Sequence, residues 1–161
     1  MRFFQQVITA IMFVLVCTGC NTQSAVPEGF HSYEKNEIEE AVEVLDFNPE
    51  LPSFIPVLAE ILVTDRFQIE ENGLDAFDIT MFTNENDIFS IQFINGEMEE
   101  QKDYNQIRIS DDIKGYYQNQ SYSQTLKWMK NGITYQLIYR PSKKSLTKEK
   151  LVEVAKSFQS T

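Results

Sequence analysis

Between residues 67 and 139 the chain is a series of short runs in which apolar residues recur at every second position. Phe67 and Ile69 alternate with polar residues before Glu71-Asn72-Gly73. Phe77, Ile79 and Met81 share one face of the next run, and Phe89, Ile91 and Phe93 share a face of the one after. Successive strand side chains point to opposite faces, so each run reads as a strand with one buried and one wet face. Asn84-Glu85-Asn86-Asp87 and Asn95-Gly96 punctuate the runs as turns. Ile107 and Ile109 flank Arg108 in a further run, and residues 113–117 read as a short strand bent at Gly115. The clearest hairpin joins residues 125–129 to 133–139 through Asn131-Gly132. A type I′ turn needs left-handed backbone at both central positions, which Asn-Gly adopts at little cost.

Amphipathic helices bracket these strands. Ile38, Ala41, Val42 and Leu45 follow helical spacing over residues 33–46, with Ser32 as candidate cap and glutamates at the positive end. Pro49, Pro52 and Pro56 forbid the helix from continuing. Near the C-terminus, Leu151, Val154, Ala155 and Phe158 form a second apolar stripe, capped by Thr147. The order is helix, six or seven strands, helix. It predicts an α+β fold over residues 32–161: an antiparallel meander sheet with both helices covering one face.

The first twenty residues have a different character. Arg2 is followed by an apolar run over residues 7–16 and then by Cys17-Thr18-Gly19-Cys20. The run is shorter than the roughly 20 residues needed to cross a bilayer and matches the apolar core of a secretory signal. Its end resembles the lipobox of bacterial lipoproteins, with Thr18 and Gly19 at the small positions and Cys17 where leucine is usual. The resemblance implies that residues 1–19 are a signal peptide and that Cys20 carries a diacylglyceryl group. It also implies a lipoprotein anchored in the cell membrane at its extracytoplasmic face, with residues 20–31 as a tether. An ordinary cleaved signal that releases a free protein is the alternative. Each buried CH₂ contributes roughly 0.8 kcal/mol, so two chains convert weak association into stable anchoring.

Charge is unevenly spread. Residues 20–112 hold 22 acids against four bases, and residues 113–161 hold nine bases against two acids. So acidic a chain is a poor partner for nucleic acid, which needs basic patches. Beyond residue 19 only Cys20 remains as cysteine, so neither a disulfide within the chain nor a cysteine zinc cluster is available.

Three stretches carry a family resemblance: the proline-bounded entry at residues 48–56, the Trp128 hairpin at residues 126–137, and the ending at residues 146–158. Over about residues 48–159 they resemble an uncharacterised domain of Gram-positive envelope proteins, Domain of Unknown Function family 4367. The resemblance supports location and fold and brings no catalytic residues with it.

Candidate chemistry is sparse. His31 is the only histidine and falls in the tether. Glu39-Glu40, Glu70-Glu71, Glu99-Glu100 and Asp111-Asp112 are adjacent acids. A glycosidase needs two acids about 5–9.5 Å apart across a cleft, whereas adjacent acids in loops are solvated charge. Asn84, Asn86 and Asp87 offer hard oxygen ligands for calcium, and an Asn/Asp-rich turn explains the same residues. Tyr116, Tyr117 and Tyr122 surround a polar amide segment and form a candidate ligand or partner surface, with sheet packing as the alternative. There is no glycine-rich phosphate loop or dinucleotide fingerprint, so no cofactor is expected. The expectation is a non-catalytic binding protein for an unknown protein or envelope component. A carrier or sensor of a small apolar ligand, held between sheet and helix, is the alternative. A cell-wall hydrolase stands third.

Overall fold

The computed structural model describes residues 26–97 and 103–159. Helix α1 spans Asn36–Glu43. It is followed by β1 (Leu51–Pro52), β2 (Ile61–Gln68), β3 (Asp75–Phe82), β4 (Ile88–Asn95), β5 (Asn105–Arg108), β6 (Lys114–Gln120), β7 (Ser123–Lys130) and β8 (Ile133–Arg140). Helix α2 (Lys148–Lys156) and β9 (Phe158–Gln159) complete the order. Seven strands form one antiparallel sheet in the order β2-β3-β4-β8-β7-β6-β5, and β1 and β9 pair as a small ribbon. The fold is α+β, as the periodicity predicts.

The sheet consists of two meanders, β2-β3-β4 and β5-β6-β7-β8, joined by pairing β4 with β8. Packing explains why β8, and not β5, lies beside β4. Phe89, Ile91 and Phe93 of β4 stand opposite Tyr139, Leu137 and Tyr135 of β8, and all six are buried. Strand β5 has four residues, mostly exposed, and takes the edge. The two ends of the β4–β5 connection touch the outer face. Thr134 Oγ1 donates to the Gly96 carbonyl at 2.6 Å, and the Tyr104 hydroxyl hydrogen-bonds with the Thr125 side chain.

The inner face carries the core. Ile38 and Val42 of α1 and Leu151, Val154 and Ala155 of α2 pack into one buried cluster with the inward side chains of β3, β4, β7 and β8. Its aromatic centre is Trp128 stacked on Tyr135 at 5.2 Å, with Phe158 edge-on to both at 5.0 and 5.5 Å. Phe93 meets Tyr135 edge-on at 5.7 Å. Aromatic pairs in this geometry add about 0.5–1.5 kcal/mol beyond area burial.

Local features follow the sequence with four differences. Asn131 and Gly132 have φ of 53° and 77°, the left-handed pair that the β7–β8 turn requires. Thr147 caps α2 and accepts from the Lys150 amide. Helix α1, in contrast, starts at Asn36 without a side-chain cap, so Ser32 plays no such part. Phe67 lies on the outer face, because its register partner is Ala76 rather than an inward residue. Gly115 sits within continuous β6. A Cβ there would stand 2.7 Å from Ile109 Cδ1, so close approach and not a bend accounts for the glycine. The packed body also begins before residue 32. The Phe30 ring lies 4.8 Å from Phe54, the His31 backbone exchanges two hydrogen bonds with Ile55, and Lys150 Nζ donates to the Gly29 carbonyl.

Candidate functional site

One end of the inner face opens into a groove of about 570 Å³. Its floor includes Tyr139 from β8. The β3–β4 turn forms one wall with Asp87, the approach to α2 forms another with Leu146 and Lys150, and His31 closes a side. Asp87 is the polar centre. Its carboxylate accepts from the Tyr139 hydroxyl and from the Ser142 amide, each at 2.7 Å. Burial alone would push Asp87 up, but these donors and nearby Lys143 outweigh it and hold the carboxyl below its ordinary range. Burial, reinforced by the hydrogen bond to Asp87 and its charge, drives the Tyr139 phenol far above its ordinary value. Tyr139 is therefore a fixed donor and not a titrating group.

The three calcium candidates do not converge. Asn84 donates its amide to Glu60 Oε1 at 2.8 Å. Asn86 takes the left-handed turn position with φ of 63°. Asp87 points its oxygens at the two donors named above. Among the described residues no group of three or more acidic, histidine or cysteine side chains is placed to hold a metal ion. The turn chemistry accounts for all three residues.

His31 lines the groove and is half-buried, which corrects its placement in a solvated tether. What holds it is backbone pairing with Ile55; among the described residues no hydrogen bond orients its imidazole. A general base needs such an orienting partner. Two pairs of adjacent acids face solvent: Glu70 and Glu71 are both exposed in the β2–β3 turn, and Asp111 and Asp112 are exposed after β5. Glu39 and Glu40 lie on α1. Glu99-Glu100 lies outside the described residues, as does Cys20.

Tyr116, Tyr117 and Tyr122 do not form one surface. Alternation along β6 sends Tyr116 to the outer face and Tyr117 to the inner face, where its hydroxyl accepts from Gln124 Nε2 at 2.9 Å. Tyr122 is exposed in the β6–β7 turn. Gln124 is buried beside Tyr139. Its amide nitrogen also donates to the Leu146 carbonyl, while its Oε1 has no protein partner among the described residues.

A second surface is the outer face of the sheet, which neither helix covers. Its middle row is polar from edge to edge: Asp65, Asp78, Gln92, Gln136, Lys127, Tyr116 and Gln106 stand in register. Asp78 is pushed upward by burial, with Asp65 adding to the push, against the Thr80 hydroxyl and the Arg140 charge. Thr80 Oγ1 donates to Asp78 at 2.6 Å and lies 2.9 Å from Ser90 Oγ. At the β2 end the row gives way to apolar residues: Ile61 is 60% exposed and Val63 49%. Sequence reading missed this patch because β2 reverses the usual pattern. The signal was present in Ile61-Leu62-Val63, a run too apolar for a loop.

Among the described residues no helix is long and apolar enough to cross a membrane. No protein-family model, curated protein or solved structure matches this chain.

Proposed function

We propose that the chain is an exported lipoprotein, anchored through Cys20 at the extracytoplasmic face of the cell membrane, where its domain serves as a non-catalytic binding module. The observation that carries this reading is the apolar segment ending in Thr18-Gly19-Cys20. Contacts at Gly29 and Phe30 bound the reach of such an anchor: eight residues lie between Cys20 and Gly29, and an extended chain over those nine steps spans about 30 Å at most. Such a module would work close to the lipid surface.

Labelled palmitate supplied to expressing cells tests the reading. The label is expected on the wild-type chain in the membrane pellet, and Cys20→Ala is expected to lose both label and pelleting. A wild-type chain recovered unlabelled in the culture fluid would overturn it.

The groove beside Tyr139 supports a second reading, a carrier or sensor of a small ligand. Its size falls within the range of about 300–1,000 Å³ usual for ligand sites. Its apolar lining of Pro56, Val57, Leu58 and Leu146 lies between sheet and helix.

A further inference from the structure

The two edges of the large sheet are unlike. Strand β5 is short, as edge strands usually are, and carries Arg108. Strand β2 has eight residues in unbroken register with β3, and among the described residues no strand lies on its other side. An exposed strand edge presents unpaired amide and carbonyl groups, and proteins blunt it with lysine, proline, a bulge or brevity. Strand β2 has no lysine, proline or bulge and runs eight residues; its one inward-pointing charge, Arg66, is tied to Asp46.

Its side chains are also reversed. The outer face of the strand bears Ile61, Val63 and Phe67, while Thr64, Arg66 and Gln68 point to the helix-covered side. Ile61 stands opposite Phe82, itself 36% exposed, so the apolar strip continues onto β3. Charge then selects among occupants. Glu60, Asp65, Glu70, Glu71 and Asp75 lie on β2 or immediately beside it, and the one cation of the strand, Arg66, is already bound to Asp46 at 3.1 Å. A second copy would bring the same acids against these, which disfavours self-pairing.

We propose that the free edge of β2 takes up an extended segment of another protein, one that alternates apolar with basic side chains, as an added strand of the sheet. Main-chain hydrogen bonds along the edge would supply affinity, and the apolar strip and flanking acids would supply selectivity. The proposal rests on the reading of the domain as a binding module and names the surface and the class of partner.

The test uses the full-length chain in nonionic detergent and a capped synthetic peptide of about ten residues in which valine and lysine alternate. Hydrogen exchange of the β2 amides is expected to slow by about tenfold or more when the peptide is in excess. A peptide of the same sequence methylated at alternate backbone nitrogens keeps its charge and cannot pair, and is expected to give no protection. Replacing its lysines by glutamate is expected to do the same. The double variant Ile61→Lys, Val63→Lys alters exposed positions only. It is expected to abolish protection while leaving exchange in β4 and β8 unchanged.

Equal protection by the methylated peptide would overturn the proposal in favour of charge adhesion. Protection that grows with protein concentration in the absence of peptide would overturn it in favour of a second copy. No protection at all would end it. None of these outcomes bears on whether Cys20 carries lipid, so failure here and failure of the anchoring are separately visible.

Discussion

Asp87 and Asp78 belong to the same half of the sheet, and their acidities move in opposite directions. Burial would raise Asp87, but the Tyr139 hydroxyl, the Ser142 groups and Lys143 pull it down. Its contribution to stability is thus present above the ordinary carboxylate range and is lost as pH falls through its depressed value. Asp78 is raised by burial first, and its ionisation costs stability as pH climbs from the ordinary value through the raised one. At pH 7, Asp87→Asn is expected to destabilise the fold by about 1–2 kcal/mol, as loss of hydrogen bonds to a charged acceptor does. Asp78→Asn is expected to stabilise it. Both differences should shrink below the carboxylate range, and urea titrations at neutral and acid pH measure them. A turn at residues 84–87 was legible in the sequence because Asn and Asp favour such geometry. The partners of Asp87 were not, since Tyr139 and Ser142 lie more than fifty residues away along the chain. His31 was misplaced for a similar reason, because a backbone bridge to Ile55 leaves no mark on either side chain.

At the scale of elements, the strands with an apolar inward face were legible, and so was the β7–β8 hairpin. Their alternation and the Asn131-Gly132 pair state the geometry directly. Strand β2 was only partly legible, because its apolar side faces outward and its inward side is largely polar. The pairing of β4 with β8 was not legible at all; alternation tells which face is buried and says nothing of which strand is the neighbour. The end of α2 illustrates how packing overrides pattern. Phe158 continues the helical stripe in sequence, yet the helix stops before it and Phe158 enters β9, where its ring meets Trp128 and Tyr135 edge-on. This side chain fastens the C-terminal elements to the sheet. Phe158→Ala is expected to cost about 3–5 kcal/mol, the usual range for a buried aromatic, as read by urea denaturation followed through Trp128 fluorescence.

For the whole molecule, topology turns a sequence imbalance into a spatial one. Residues 60–97, which contain β2 to β4, carry nine acids and one base, and residues 103–140, which contain β5 to β8, carry three acids and five bases. The strand order puts these groups on opposite sides of the β4–β8 seam, so the sheet has an acidic and a basic half. The same seam makes the halves interdependent. The inward face of β4 is covered on one flank by β8, and the aromatic centre draws Phe93 from one half and Trp128 and Tyr135 from the other, with Phe158 of β9 edge-on to all three. A chain truncated after residue 120 is therefore expected to show no cooperative unfolding by circular dichroism, although it keeps five of the seven large-sheet strands, β2 to β6. Closing contacts so distant along the chain is slow, on the order of milliseconds to seconds for sheets of this kind. In a chain exported as we propose, the central seam would close only after β8, its last long strand, had emerged on the far side of the membrane.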